Sequence, residues 1–489
     1  MKPGRAVFLL SLVALATLAV RHALTSPLGH DDIEHLHTAW LVSQGYRPFL
    51  DFFQKQSPFF WLLLQPAALL AQGDLLAYAL LGRLTMLAAL AATAVGIGFL
   101  ARSVSRSPTL AMAAPFLLLG SPTLLYNLIA IRPDGIMVAA VVWGVVMLGW
   151  SMSGARQGAR RTGLLVASGF LLGLAAVLLL KAAPSAVVLS LAAGVLAALG
   201  FTGSSAGTSN VKPPIGEVFW RASRDIALLA AGGVLAVLPF LAWLHLAGLL
   251  DGFWFTNVVF NGWLYSSPMA EDVPRASRLG TILLAMLRNE PWLPGSAVLA
   301  FLLVPRRIRF LKAPERVVLA LLLLLVTNLL LLIPNHLPFY SYFLLPLLAG
   351  IALAPALLER LLDRFEHHRI EWRTPRTIRG FKVPTALVAV LALAVLAAGI
   401  TGYQRFSSSE GQIRKLAALP RDRETYELPD HPVFIVDRHY VWDNVDRYVE
   451  TLRRMDRAGA LPDWVRRRCA EQFQYHGTAF VLTGGSARD

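Results

Sequence analysis

The sequence predicts an all-α polytopic membrane protein with about 11 transmembrane helices, and its composition, its hydropathy and the grouping of its apolar residues all support this. Of 489 residues, 56% are hydrophobic and 15% are charged, whereas soluble domains carry about 25% charged residues. The mean hydropathy is +0.56. Apolar residues form long blocks, such as 317–333 and 386–400, that approach the ~20 residues a helix needs to cross a bilayer.

Eleven apolar segments are candidates for membrane spans, and the first of them follows Lys2 and Arg5. We interpret this first segment as an uncleaved helix rather than a signal peptide, because no small-x-small cleavage site precedes the next part of the chain. The apolar stretch 59–70 is too short to cross and is typical of an interfacial or re-entrant helix. The predicted spans are 6–24, 76–101, 109–122, 135–151, 163–180, 184–201, 226–249, 294–304, 317–333, 341–357 and 384–402.

The distribution of Lys and Arg orients these spans. With a cytoplasmic N-terminus, the cytoplasmic segments hold 22 Lys and Arg residues, whereas the opposite side holds 9 before the C-terminal tail. Because short cytoplasmic loops are enriched in these residues, the formal net charge of +15 reflects topology rather than nucleic-acid binding. We expect a multi-pass protein of the inner (plasma) membrane, with a cytoplasmic N-terminus and a periplasmic or extracellular C-terminus.

Two domains are predicted. Residues 1–402 form the transmembrane domain, and its first outer loop, 25–75, is the candidate catalytic segment. Residues 403–489 contain 14 Lys and Arg and 13 Asp and Glu, a composition typical of a water-soluble segment, and form a small non-cytoplasmic α/β domain. The elements predicted in this tail are strands at 431–435 and 478–483 and one or two helices over 445–473, with a break near 459–462.

The first outer loop contains three carboxylates and three histidines within eight residues, directly after a predicted span. In a helix that starts near Asp31, the side chains of Glu34 and His35 share a side with Asp31. We expect an amphipathic helix that lies on the membrane surface and presents its acids to a molecule held at the interface. The alternative is a solvated loop in which Asp31 caps a helix. The six residues are His30, Asp31, Asp32, Glu34, His35 and His37.

Three blocks of residues in this loop follow one another: Asp31-Asp32-Ile33-Glu34-His35-Leu36-His37-Thr38-Ala39-Trp40, Gly45-Tyr46-Arg47-Pro48-Phe49-Leu50-Asp51-Phe52-Phe53 and Pro58-Phe59-Phe60-Trp61. Together they resemble the C-type (GT-C) glycosyltransferases. They are most similar to the branch that contains the protein O-mannosyltransferases and the lipid A aminoarabinose transferases. The resemblance is densest over 28–66 and continues more weakly through 132–134, 179–181 and 334–346.

The resemblance implies a GT-C-like fold and a hexosyl- or pentosyltransferase. Such an enzyme transfers a sugar from a polyprenyl phosphate to a hydroxyl group of a lipid, a glycan or a protein on the non-cytoplasmic side. In this family the first outer loop carries a catalytic acidic pair, normally Asp followed by Glu. Here the pair is Asp31 and Asp32, and Glu34 is the third candidate catalytic residue. A carboxylate would take the proton of the attacking hydroxyl; which aspartate does so stays open.

Cations on the outer side are candidates for binding the donor phosphate, because the leaving phosphate monoester gains negative charge. These candidates are Lys55, Arg83, Arg132 and Lys181. Each also has a structural interpretation. Arg83 is a candidate snorkelling anchor, Arg132 is a candidate ion-pair partner of Asp134, and Lys55 is close to predicted lipid headgroups. Lys181 stands between two apolar spans, a costly position unless it meets a partner or water.

Polar side chains of the outer loops are candidates for binding the sugar or the acceptor. Tyrosine is also favoured at membrane interfaces for its amphipathic ring. The aromatic and amide residues of the loop 250–276 are likewise candidates either for binding sugar or for an aromatic belt at the membrane interface. The candidate sugar- or acceptor-binding residues are His35, His37, Asp51, His336, Tyr340 and Tyr342.

No cofactor or metal is assigned from the sequence, although the first loop is a candidate site for a divalent metal. The two-residue spacing of His35 and His37 does not place both on one helical face, unlike the four-residue spacing of a zinc motif. Cys469 is the sole cysteine, which excludes an intramolecular disulfide and a cysteine-based zinc site.

Two other functional classes remain open. A secondary transporter would place acids or broken helices near the bilayer midplane, often in two related halves, whereas here the acids gather in one loop. An envelope polysaccharide polymerase or ligase also uses a lipid-linked donor, but it usually carries a large late outer loop. The expected partners are a polyprenyl-phosphate-linked sugar, its acceptor and membrane lipids, with no nucleic acid.

Overall fold

Helices dominate the chain in a computed structural model. The structure describes residues 3–26, 28–52, 54–72, 74–152, 158–204, 215–266, 274–303, 313–332, 340–369, 426–428, 431–433 and 445–466.

Eighteen α-helices occur in these ranges, together with shorter helical turns and one strand pair. A π-helical segment covers Phe255–Phe260, and 3₁₀ turns cover Leu180–Ala182, Ala300–Leu303 and Tyr340–Tyr342. The α-helices are α1 (Pro3–Thr25), α2 (His30–Ser43), α3 (Phe59–Ala71), α4 (Leu75–Val104), α5 (Pro108–Ala111), α6 (Ala113–Leu119), α7 (Pro122–Ile129), α8 (Pro133–Met152), α9 (Ala159–Leu178), α10 (Ala183–Ser204), α11 (Ile215–Leu246), α12 (Leu250–Trp254), α13 (Asn261–Ser266), α14 (Arg275–Asn289), α15 (Trp292–Leu299), α16 (Ala313–Leu330), α17 (Leu344–Arg369) and α18 (Val445–Arg457).

The chain is a multi-pass membrane protein. Within the described ranges, five helices are long and apolar enough to cross a membrane, and they fall within α4, α8, α9, α11 and α17. These helices pack side by side through buried Leu, Val, Ala and Gly residues. The closest approach joins α9 to α11, where a Cβ on Gly169 would lie 2.0 Å from the carbonyl oxygen of Leu229. Only glycine allows two backbones to come so close.

One predicted span is wrong as a continuous helix. The segment 109–122 is divided among α5, α6 and the start of α7. Pro115 and Pro122 stand in the first turns of α6 and α7, where a missing N–H is tolerated but a preceding helix cannot continue. The segment 294–304 is also short, with α15 followed by a 3₁₀ turn. The segment 384–402 lies outside the described residues.

The helix α2 is buried within the fold rather than laid on a surface. Its polar residues Asp32, Glu34, His35 and His37 are each at most 6% exposed. Leu36, on the same helix, belongs to the main hydrophobic core. Charged side chains enclosed in this way need partners, and those partners build the candidate site.

The described part of the tail contains one strand pair and one helix. Strand β1 (Tyr426–Leu428) pairs antiparallel with β2 (His431–Val433), at the start of the predicted strand 431–435. The helix α18 ends before Gly459, whose φ is +67°, near the predicted break. The predicted strand at 478–483 lies outside the described residues.

The helix α18 packs on the π-helical segment of the membrane domain. Leu452 and Met455 are fully buried against Phe255 and Phe260. Trp464, beyond the helix, meets Phe255 edge-to-face with ring centroids 5.7 Å apart. The tail therefore has an apolar contact with the segment that follows α12.

Candidate active site

The ionisable residues of the first loop meet cations from three other parts of the chain. Asp32 contacts Arg83 of α4, and Asp31 contacts Arg132 in the connection between α7 and α8. Arg132 also contacts Asp134 at the start of α8, and Asp134 in turn binds Lys181. Acids and cations thus alternate from α2 to the 3₁₀ turn that precedes α10.

Asp32 is a buried carboxylate with three donors. Its Oδ2 lies 2.7 Å from Arg83 Nη2 and accepts the backbone N–H of Gly29 at 2.7 Å. Its Oδ1 accepts the backbone N–H of Ile131. Arg83, 4% exposed, also donates from Nη1 to the carbonyl oxygen of Ile129 at 2.8 Å. Asp32 and Arg83 therefore join α2 and α4 to the chain segment after α7.

Asp31 has a different environment, although it is the next residue in the chain. Its side chain is 48% exposed, and its Oδ2 lies 2.9 Å from Arg132 Nη1. The second guanidinium nitrogen of Arg132, Nη2, lies 3.3 Å from Asp134 Oδ2. Burial lowers the pKa of Arg132, but Asp134 and Asp31 outweigh it and raise that pKa above its usual value. Asp31 thus presents an accessible carboxylate beside a permanent positive charge.

Lys181 has the partner that its position between apolar helices requires. Its Nζ donates to Asp134 Oδ1 and lies 3.4 Å from Ser341 Oγ. The same Nζ stands 4.8 Å from the centre of the Tyr342 ring, within the range of a cation–π interaction. Lys181, Ser341 and Tyr342 line one cavity together with Met137, Asn328, Leu331 and Leu345.

Glu34 faces a buried amide of the following segment. Gln54 Nε2 donates to Glu34 Oε1 at 3.0 Å and lies 3.2 Å from Thr38 Oγ1. The other amide atom, Gln54 Oε1, accepts the backbone N–H of Lys55 at 2.7 Å. This arrangement fixes the backbone that carries Lys55 against α2.

Two asparagines hold the same segment from the opposite side. Asn261 Nδ2 donates to the carbonyl oxygen of Lys55 at 2.9 Å, and Asn257 Nδ2 lies 3.4 Å from that of Gln56. The Lys55 ammonium lies 6.0 Å from the ring centre of Tyr265. These amides of the loop 250–276 therefore bind protein backbone, and Lys55 lies where the first loop contacts that later loop.

The other candidates for binding the sugar or the acceptor have different environments. His37 is buried and stacks on Trp40, with ring centroids 6.4 Å apart. Asp51 forms a local ion pair with Arg47 at 3.2 Å. His336 and the side chain of Tyr340 lie outside the described residues.

His35 is 1% exposed, and its Nδ1 accepts the indole N–H of Trp61 at 3.0 Å. In the part of the chain that the structure describes, no group of three or more His, Cys, Asp or Glu side chains is arranged to hold a metal ion.

Several site residues were not among the sequence candidates. Asp134 links two candidate cations, and its only sequence signal was the weak motif that it shares with Arg132. Trp61 belongs to a block that carries the family resemblance, but nothing in the sequence pairs it with His35. Gln54 and Ser341 carry no signal, because their roles depend on contacts with residues 20 and 160 positions away.

Solved structures share this fold. ArnT from Cupriavidus metallidurans bound to undecaprenyl phosphate matches with a TM-score of 0.53 and 14% identity, over 85% of this chain and 73% of that one. The apo state of the same protein matches with a TM-score of 0.53 and 14% identity, over 94% and 90%. The oligosaccharyltransferase AglB from Archaeoglobus fulgidus, in complex with an inhibitory peptide and a dolichol-phosphate, has a TM-score of 0.47 and 14% identity, over 97% and 59%.

ArnT is a GT-C glycosyltransferase that depends on a polyprenyl phosphate. The predicted resemblance to GT-C proteins is therefore confirmed at the level of the fold. No protein-family model matches the sequence, and no curated protein matches it.

Proposed function

We propose that this protein is a membrane glycosyltransferase that transfers a sugar from a polyprenyl-phosphate donor to a hydroxyl acceptor on the non-cytoplasmic side. The observation that carries the proposal is the pairing of an accessible carboxylate, Asp31, with Arg132, which continues through Asp134 to Lys181. The fold shared with ArnT, which was solved with undecaprenyl phosphate bound, supports a lipid-linked donor.

Asp31 is the base in this proposal, and Asp32 is a positioning residue. A general base has to reach the proton that it removes, and about half of the Asp31 side chain is accessible. Both oxygens of Asp32 are occupied by Arg83, Gly29 and Ile131. Transfer of a proton to Asp32 would also leave the buried charge of Arg83 without its counter-ion.

The reaction is an inverting displacement. The acceptor hydroxyl oxygen attacks the anomeric carbon, the bond from that carbon to the phosphate oxygen breaks, and Asp31 takes the hydroxyl proton. The donor phosphodiester thereby becomes a phosphate monoester, whose additional charge needs cationic partners. Arg132 offers a planar fork for a phosphate and Lys181 a point charge, and Lys55 and Arg83 complete the set of proposed phosphate-site cations.

The other expectations are part of the same proposal. Glu34 is a further catalytic carboxylate in this proposal. The acceptor is a lipid, a glycan or a protein, and the residues proposed to bind the sugar or the acceptor are His35, His37, Asp51, His336, Tyr340 and Tyr342. The transferred group is a hexosyl or pentosyl unit. The domain 1–402 crosses the inner (plasma) membrane about 11 times with a cytoplasmic N-terminus. The α/β domain 403–489 covers the outer opening of the site.

The test is transfer from a panel of radiolabelled polyprenyl-phosphate sugars to membrane acceptors, with wild type, Asp31→Asn and Asp32→Asn at matched protein levels. We expect wild type to transfer the sugar of one donor. We expect the transfer activity of Asp31→Asn to be lower by about 10²- to 10⁴-fold, the usual contribution of a general base. If no donor is consumed, the proposed function fails and a transporter becomes the leading alternative. If Asp31→Asn transfers the sugar as well as wild type, Asp31 is not the base.

A further inference from the structure

The two ring nitrogens of His35 have different environments. Its Nδ1 accepts the indole N–H of Trp61 at 3.0 Å, and its ring meets Phe60 edge-to-face with centroids 5.0 Å apart. The Nε2 atom is also buried, and it has no hydrogen-bond partner among the described residues. A buried polar atom without a partner is rare in proteins and calls for an explanation.

The bond from Trp61 determines which nitrogen of His35 carries the proton. An indole nitrogen only donates, so Nδ1 must supply a lone pair, and the single proton of a neutral imidazole then lies on Nε2. Burial lowers the pKa of His35 below its usual value, although Glu34 and Asp31 act to raise it. The ring therefore stays neutral and carries one oriented N–H group, which has no acceptor in the described part of the chain.

The imidazole lies within electrostatic range of several residues of the candidate site. The charged groups that act on the imidazole are Glu34 and Asp31 of α2, Arg132 in the connection after α7, and Asp134 at the start of α8. A donor of the proposed kind has many oxygen atoms, and its binding in this region would supply the acceptor that the described residues do not.

We propose that Trp61 fixes His35 as its Nε2–H tautomer, and that this N–H donates a hydrogen bond to an oxygen of the bound sugar-phosphate lipid. The inference rests on the proposed function, and the oxygen belongs either to the phosphate or to a sugar hydroxyl. His35 is then a substrate-binding donor, and Trp61 is a positioning residue. While Trp61 occupies Nδ1, the Nε2 atom has no lone pair for a proton or a metal ion, so His35 is neither base nor ligand.

The tautomer is measured first, on the full-length ligand-free protein labelled with ¹⁵N-histidine in lipid nanodiscs. The His35 signals are identified by their loss in His35→Gln. We expect an Nε2–H tautomer that persists as the pH falls from about 7.5 to about 5.5, the range in which an ordinary histidine becomes charged. An Nδ1–H tautomer or a charged ring in this range would overturn the proposal.

A matched pair of tryptophan variants tests the positioning role. Trp61→Phe removes the N–H that holds Nδ1 and is expected to mix the two tautomers of His35. Trp143→Phe removes an indole N–H that donates to the carbonyl oxygen of Ala92 at 2.9 Å and is expected to leave the His35 tautomer unchanged. If Trp61→Phe also leaves the tautomer unchanged, Trp61 does not fix it and the proposal is wrong.

Two lipid probes then identify the acceptor oxygen. Undecaprenyl phosphate carries a phosphate without a sugar, whereas an undecaprenyl-phosphate sugar carries both. A shift of the His35 Nε2–H signal with the first probe assigns the phosphate, and a shift with the second alone assigns the sugar. If other signals show that a lipid binds while His35 does not respond, this inference fails and the proposed function stands. If neither lipid binds, both fail.

Transfer assays separate hydrogen bonding from ring packing. His35→Gln keeps a neutral N–H donor and is expected to retain most of the activity, whereas His35→Leu is expected to lose about 10- to 100-fold in kcat/KM, the usual effect of removing one strong hydrogen bond. Equal losses in the two variants would contradict a donor role for His35.

Discussion

The ion pair of Asp32 and Arg83 stabilises the fold only while both partners are present. Each residue is at most 4% exposed, and an unpaired buried charge is costly. We therefore expect Arg83→Met to lower the free energy of unfolding by about 3–5 kcal/mol. Thermal unfolding in a constant detergent measures this change. Arg47→Met is the control, because the pair of Arg47 with Asp51 is partly exposed and an ion pair screened by solvent contributes little to stability.

The double variant Asp32→Asn with Arg83→Met distinguishes charge pairing from packing. It removes both charges at once, so we expect it to be more stable than Arg83→Met alone. If the double variant is less stable than Arg83→Met alone, the pair does not act through its charges. If Arg47→Met lowers the free energy of unfolding as much as Arg83→Met does, burial of the charge is not the cause of the effect.

At this scale the sequence could predict the acids but not their separate environments. Asp31 and Asp32 were equivalent candidates, because neighbouring residues share the same local sequence. Their difference arises from Arg83 and Ile131, which are 51 and 99 positions from Asp32. The sequence indicates that Lys181 needs a partner, because it is an isolated charge among apolar residues, but that partner, Asp134, becomes evident only in three dimensions.

At the scale of elements, three segments form a continuous path from the tail to the first loop. Helix α18 packs on the π-helical segment through Leu452 and Met455. That segment and the start of α13 provide the amides of Asn257 and Asn261, which bind the backbone of residues 55 and 56. Gln54, at the start of this backbone segment, binds Glu34. The tail therefore supports the position of the first loop from outside the membrane domain.

This path predicts that the tail affects transfer. Removing apolar side chains of α18 in Leu452→Ala with Met455→Ala should loosen its contact and lower kcat/KM by roughly tenfold, since small displacements of site residues reduce catalysis. Transfer assays at matched protein levels measure this effect. Arg457→Gln, on the same helix, changes a side chain that is 60% exposed and should leave kcat/KM unchanged. Unchanged transfer in the double variant would show that the tail contact does not position the loop.

Some elements of the fold cannot be predicted from the local sequence pattern alone. The long spans are predictable because their apolar composition dictates both burial and helix formation. The segment 109–122 has the same composition, but prolines in the first turns of α6 and α7 divide it. The helix α2 has the polar residues of a surface helix, yet α3 and α4 enclose it. The partners of its buried acids, such as Arg83 and Gln54, are distant residues that no local pattern identifies.

At the scale of the whole molecule, the fold tolerates very different sequences. This chain and ArnT share 14% identity at a TM-score of 0.53. Close-packed apolar helices accept many substitutions that preserve volume and pattern, so the architecture is similar where individual residues differ. The charges of the connecting segments are under a separate constraint, because they set the orientation of the chain in the membrane.

The orientation argued from these charges is directly testable. In a Cys469→Ser background, Ser407→Cys places a thiol in the tail and Ser209→Cys places one in the predicted cytoplasmic segment 202–225. A membrane-impermeant maleimide should label the tail variant in intact cells and the loop variant only after permeabilisation, because Lys and Arg are retained in the cytoplasm. The reverse pattern would place the first-loop acids on the cytoplasmic side, and a donor presented from outside could not reach Asp31.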